Sequence, residues 1–194
     1  MVRIIAGSRK GRLLTAPAGQ TTRPTADRVR QALFDMLLHA PWGGPALISG
    51  AHVLDAFAGT GALGLEALSR GAKHATFFET SRPALAALRA NIQACKWEDS
   101  CTVIARDVTS PPACTSPAGL VFLDPPYHQN LPERALKALQ NKGWIAPNAI
   151  AVIETGREEP LPFSNTEEAP ETANTPAFLA ERQHGAARFS IWRL

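Results

Sequence analysis

The sequence predicts an α/β protein whose main domain is a mostly parallel β-sheet with helices on both faces. Three observations predict it. From about residue 51, short apolar runs alternate with amphipathic segments of helical period. A glycine-rich turn, LDAFAGTGALG, joins the first strand of that series to its helix. The last two apolar runs, AFLAERQHG and ARFSIWRL, are separated only by a tight turn, so they close the sheet antiparallel. With 194 residues, 45% of them apolar, the chain can form one sizeable core and a small extension. The expected division is an extension over 1–45 and a main domain over 46–194.

In chain order, RIIAG and GRLLTAP flank SRKG and read as a small β-hairpin. RPTADRVRQALFDMLLHA follows as a helix. Thr25 is its candidate cap, Asp27 suits its first turn, and Val29, Leu33, Met36 and Leu37 share one face. PWGGP ends it. AHVLDAFAG is a buried strand, and ALGLEALSRG a helix closed by Gly71. HATFFE is the next strand. SRPALAALRANIQAC is a helix with Ser81 as cap and Pro83 in its first turn. CTVIARD and GLVFLD are strands, LPERALKALQNKG a helix and AIAVIETG a strand. Residues 156–176 are acidic and proline-rich, and nothing in them suggests a role.

No apolar run approaches the roughly eighteen residues that span a bilayer. The apolar run of the basic N-terminus is too short for a signal sequence, so a cytoplasmic protein is expected. Cys95, Cys101 and Cys114 match no zinc or thioredoxin spacing and read as reduced thiols. No cluster suggests a metal. The five histidines, His39, His52, His74, His128 and His184, show no catalytic spacing.

The net charge of +3 conceals an asymmetry. Arg3, Arg9, Lys10, Arg12, Arg23, Arg28 and Arg30 face only Asp27 in residues 1–30, which carry +6 and leave −3 for the rest. A basic end on a mildly acidic body suits a polyanion. Arg9, Lys10, Arg12, Arg23, Arg28 and Arg30 are therefore the candidate phosphate contacts, unless acids of the domain pair with them.

Gly59, Gly61 and Gly64 satisfy G-x-G-x-x-G, and Glu79 ends the next strand, 20 residues after Gly59. That spacing suits an acid gripping ribose hydroxyls. A dinucleotide, a flavin or S-adenosylmethionine could use such a turn, and so could packing alone. Asp55, four residues before Gly59, would repel a pyrophosphate but suits a ligand carrying an amine and a sulfonium. Asp107 either accepts from an adenine amino group or is a surface carboxylate.

LVFLDPPYHQN ends a buried strand on Asp124-Pro125-Pro126-Tyr127. An exocyclic base nitrogen is a poor nucleophile, because its lone pair is delocalised into the ring. The Asp124 carboxylate and the Pro125 carbonyl could hold its N–H groups and turn the lone pair outward. Prolines stiffen such a turn and add no competing N–H. Tyr127 could stack on an extruded base or simply pack on the next helix.

The glycine loop and DPPY together resemble class I S-adenosylmethionine-dependent methyltransferases of exocyclic amines. Within them, RIIAG, RPTADRVRQALFDML, the glycine loop, DPPY and ARFSIWRL are similar, in order, to the RsmD family, which methylates guanine N2 in bacterial 16S ribosomal RNA. The resemblance implies a Rossmann-like, mostly parallel seven-stranded sheet with an antiparallel C-terminal strand and an N-terminal hairpin and helix. It implies catalysis by Asp124, Pro125, Pro126 and Tyr127. It implies S-adenosylmethionine held by Asp55, Ala56, Phe57, Gly59, Thr60, Gly61, Glu79 and Asp107, with the basic end approaching both RNA and active site. The implied substrate is 16S RNA in a partly or fully assembled small subunit, met by a monomer. DNA-adenine or protein-glutamine methylation would use similar motifs. A nicotinamide oxidoreductase leaves DPPY unexplained, and a noncatalytic RNA-binding module explains only the basic end.

Overall fold

The computed structural model describes residues 2–17, 24–126, 131–163 and 176–194. Its first strands, β1 (Val2–Arg3) and β2 (Leu13–Leu14), pair antiparallel as the predicted hairpin. Helix α1 spans Pro24–His39; the Thr25 side chain lies outside the described residues. Then come β3 (His52–Asp55), α2 (Ala62–Ser69), β4 (His74–Phe78), α3 (Arg82–Cys95), β5 (Cys101–Ile104), β6 (Ala118–Leu123), α4 (Leu131–Asn141), β7 (Ile145–Gly156), β8 (Ala177–His184) and β9 (Ala187–Arg193).

Seven strands form one sheet in the order β5-β4-β3-β6-β7-β9-β8. β9 runs antiparallel to both β7 and β8, whereas β3, β4, β5, β6 and β7 run parallel to one another. The strand order reverses between β3 and β6, where open α/β sheets open a crevice for ligands. Side chains alternate between the two faces. Val121, Leu123, Ala151 and Ile153 join the core under α4, and Leu120, Phe122, Ile150 and Val152 join the core under α1. Fully buried Phe34, Leu37, Phe122 and Leu123 each contribute about 2 kcal/mol of transfer free energy.

The described residues of 1–45 share these cores. Leu33, Phe34 and Leu37 of α1 pack on the sheet, and Val2, Ile4 and Leu14 of the hairpin pack with Leu65, Phe77 and Leu88. The predicted helical face is seated as expected: Leu33 and Leu37 are buried, with Val29 and Met36 beside them. At α3, Ser81 occupies the cap position but its side chain makes no capping bond. The Glu79 carboxylate instead fixes the chain entering the helix, with Oε1 accepting from the N–H groups of Thr80 and Ser81, each at 2.7 Å. All three thiols are free; Cys95 is buried, and Cys101 and Cys114 are half-buried.

The hairpin tip lies at the far edge of the sheet from the crevice. α2 starts at the carboxyl end of β3 and returns to the opposite edge at Ser69. There Ser69 Oγ accepts from Arg9 N–H at 3.0 Å and donates to the Ala6 carbonyl. Arg9 Nε donates to the carbonyl of Cys95, the last residue of α3, at 3.0 Å, and its guanidinium lies 5.6 Å from the Trp97 ring centre.

Candidate active site

A cleft of about 600 Å³ opens at the carboxyl ends of the parallel strands, a size that suits a cofactor. The turns after four strands wall it: Ala56, Phe57 and Gly59 after β3, Glu79 to Ser81 after β4, Arg106 to Val108 after β5, and Asp124 to Pro126 after β6. Gly59 has φ +52°, and a Cβ built there would meet nothing within 4 Å, so the missing side chain keeps the cleft open. Gly64 serves packing instead: a Cβ there would collide with the Phe77 ring.

Glu79 Oε2 accepts from Gly59 N–H at 2.7 Å. Together with the bonds from Thr80 and Ser81, this pins the carboxylate between two turns and leaves acceptor capacity for a ligand. Asp107 lines the same cleft from the turn after the neighbouring strand β5. Bonds from the Thr109 N–H and hydroxyl, both 2.8 Å, hold its carboxyl below its ordinary value.

Of the predicted cofactor residues, Ala56, Phe57, Gly59, Glu79 and Asp107 line the cleft, and Asp55, Thr60 and Gly61 stand behind the wall. Asp55 is 2% exposed. Its Oδ2 accepts from Gly64 N–H at 3.1 Å, tying β3 to the first turn of α2. Burial, with Glu79 nearby, raises its carboxyl to about 7 despite that bond. The Thr60 carbonyl accepts from Asn91 Nδ2, and Gly61, with φ +81°, opens α2. Arg106 is a wall residue that sequence reasoning missed.

A second cavity, about 360 Å³, lies on the other side of Asp124. Val2, Val29, Arg30 and Leu33 of the extension wall it, with Leu63, Glu154, His184 and Phe189. Glu154 stands beside Asp124 because Leu123 of β6 pairs with Ile153 of β7. The two carboxyls hydrogen-bond to each other. Withdrawal from bulk water, then Glu154 and Asp55, hold the Asp124 carboxyl well above the ordinary range. Asp124 is accessible as a residue because it borders both cavities, but its carboxyl faces other acids. Three adjacent strands thus each present an acid here: Asp55, Asp124 and Glu154. Glu154 was also missed, since it reads as an isolated acid within an apolar strand. Tyr127 and His128 lie outside the described residues.

The basic candidates divide. Arg30 is no surface contact: it is 6% exposed, and its Nη2 donates to the Arg3 carbonyl and, at 3.0 Å, to Asp27. Its Nε lies 3.9 Å from the fully buried Glu66, whose carboxylate also accepts from the N–H groups of Ile5 and Ala6. It clamps the hairpin to α1. Arg9 is half-buried against α3. Lys10, Arg12 and Arg28 are exposed. Arg23 lies outside the described residues.

This crevice geometry has counterparts in known proteins. A family model described as Conserved hypothetical protein 95 matches residues 2–178. Ribosomal RNA small subunit methyltransferase D of Haemophilus influenzae is 40% identical over 164 residues, 82% of this chain and 81% of that protein. The chain belongs to the RsmD family. A second RsmD-family relative, ribosomal RNA small subunit methyltransferase D of Escherichia coli K12, is 38% identical, covering 83% of this chain and 78% of that protein. The solved structure of yhhF from Escherichia coli superposes with a TM-score of 0.79 at 31% identity, covering 99% of this chain and 97% of that one. The predicted resemblance and the Rossmann-like, class I methyltransferase fold are both borne out.

Proposed function

We propose that this protein transfers a methyl group from S-adenosylmethionine to the N2 amine of a guanine in 16S ribosomal RNA. The carrying observation is that Asp124, at the head of the Asp124-Pro125-Pro126 turn, borders two cavities at once, the cleft that Glu79 and Asp107 line and the second cavity that Glu154 lines. Family membership supports the same reading.

The cofactor cleft fits S-adenosylmethionine by its donor set. Glu79 would take the ribose hydroxyls, Asp107 the adenine amino group, and Gly59 lets the ligand approach the backbone. Asp55, Thr60 and Gly61 would act by holding the turn. When bound, S-adenosylmethionine supplies an electrophilic sulfonium methyl, whose C–S bond breaks as the N–C bond forms.

Asp124 accepts one N2–H of the guanine, and a second acceptor, the Pro125 carbonyl or a neighbouring carboxylate, takes the other. Both bonds localise the nitrogen lone pair toward the cleft. The proton displaced from N2 passes to the Asp124 carboxylate and from there to solvent. A carboxyl with raised proton affinity suits that task. Tyr127, next in sequence, would stack on the base. Much of the catalysis is positioning across the shared wall.

The extension over 1–45 supplies the RNA-facing side. Arg28 is exposed on α1 beside Asp27, Gln31 and Asp35, and it is a candidate phosphate contact. Lys10 and Arg12 would meet RNA at the far edge of the sheet, which requires a substrate larger than a hairpin. A partly or fully assembled small subunit in the cytoplasm provides one, and a monomer would suffice. Among the described residues, no helix is long and apolar enough to cross a membrane.

The test offers methyl-labelled S-adenosylmethionine with unmodified small subunits, naked 16S RNA and duplex DNA. Wild type should yield N2-methylguanine in ribosomal RNA, and Asp124→Ala should lower kcat about 10³-fold. Label in DNA, or none in any nucleic acid despite cofactor binding, would overturn the substrate assignment.

A further inference from the structure

Glu154 belongs to no motif, yet it is placed where substrate specificity is decided. It lines the second cavity, half-buried, and hydrogen-bonds to Asp124 across the β6–β7 pair. The other polar side chains there are Arg30 and His184, and Val2, Leu33 and Phe189 give apolar walls against which a flat base can lie.

The exocyclic amines of the nucleobases differ in what flanks them. Guanine N2 has the N1–H donor beside it. Adenine N6 has the N1 lone pair beside it, and cytosine N4 has the N3 lone pair. A carboxylate facing the amine therefore gains two parallel hydrogen bonds only with guanine. With the other two it opposes a lone pair, and a desolvated acceptor is left without a donor.

We propose that Glu154 selects guanine by accepting N1–H and one N2–H, while Asp124 accepts the remaining N2–H. The proposal rests on the guanine-N2 reading above and names the residue that sets its base specificity. In the free protein the two acids share a proton; that proton leaves to solvent when guanine binds, and the donors of guanine replace the bond. The role needs no contact with the cofactor, because Glu154 is not part of the cofactor cleft wall.

The experiment compares wild type with Glu154→Gln on small subunits reconstituted with RNA carrying guanine or 2,6-diaminopurine at the mapped target. 2,6-Diaminopurine keeps the 2-amino group but replaces N1–H with a lone pair. Wild type should prefer guanine by about 100-fold in kcat/KM. A glutamine can accept from the amine and donate to N1, so Glu154→Gln should lower kcat/KM on guanine about 100-fold and raise it on 2,6-diaminopurine at least about tenfold. Affinity for S-adenosylhomocysteine should stay unchanged, which verifies the fold of the variant. An unchanged guanine preference in Glu154→Gln would overturn the role of Glu154 alone. If that variant loses cofactor binding, the wild-type arm decides, and equal use of both bases overturns the proposal. Wild type that labels no guanine would instead overturn the guanine-N2 reading.

Discussion

The two cavities that meet at Asp124 are finished differently. In the cofactor cleft the acids are already committed to the chain. Glu79 accepts from the N–H groups of Gly59, Thr80 and Ser81, and Asp107 is held below its ordinary value by Thr109. In the base cavity the acids face one another, and Asp124 is held well above the ordinary range. The first region is preorganised by backbone donors. In the second, the Arg30 guanidinium is committed to Asp27 and the Arg3 carbonyl, and the acids crowd one another. The protein alone bears the cost of the crowded carboxyls.

The largest expected effect that could break this contrast concerns Asp55, the buried acid beneath both regions. Its carboxyl ionises near pH 7 in the folded protein, against 3.8 ordinarily. Below pH 3.8 both folded and unfolded chains hold the proton, and there is no cost. As pH rises toward 7 only the unfolded chain ionises, so stability falls, and above 7 the loss is complete. A displacement from 3.8 to about 7 corresponds to about 4 kcal/mol. Asp55→Asn keeps an acceptor for Gly64 N–H and removes the ionisation. Denaturation at several pH values should give a variant that gains on wild type from pH 4 to pH 8, by up to that amount. A difference that does not change with pH would mean that the acid row is not strained.

A smaller effect sharpens the other side. Glu79→Ala removes the acceptor of three backbone N–H groups and the proposed ribose contact. Calorimetric titration should show S-adenosylhomocysteine binding weakened by about 10- to 100-fold. Unaltered affinity would mean that Glu79 only shapes the turn.

Much of the fold was legible because it is written in period and punctuation. Alternating apolar runs marked the strands of the sheet, and Pro83 and Gly71 marked helix ends. The glycine turn, Glu79 and Asp124 were legible because their chemistry is local to strand ends. What failed was anything that depends on which strands are neighbours. Glu154 is thirty positions from Asp124 in sequence, and only the β6–β7 pairing sets them side by side. Asp55 carries the right chemistry for the cleft, but sequence spacing cannot show that its side chain turns under α2 toward Gly64. Charge counting placed Arg9 and Arg30 in one basic surface. Their partners, Cys95 and Glu66, come from distant helices, and burial converts both arginines into ties. Ser81 holds the cap position without a side-chain bond, and Glu79 instead ties the Thr80 and Ser81 N–H groups just before α3.

The most direct test of the central claim, that an ionised Asp124 takes a proton from the guanine amine, is the pH dependence of kcat/KM, which reports the free enzyme. The withdrawal of Asp124 from bulk water, with Glu154 and Asp55 beside it, predicts a rate that keeps rising, about tenfold per pH unit, well above the ordinary carboxylate range before it levels. Asp124→Asn should abolish that rise along with most of the activity. A wild-type profile already flat from pH 5 upward, or an Asp124→Asn enzyme with wild-type rates, would contradict it.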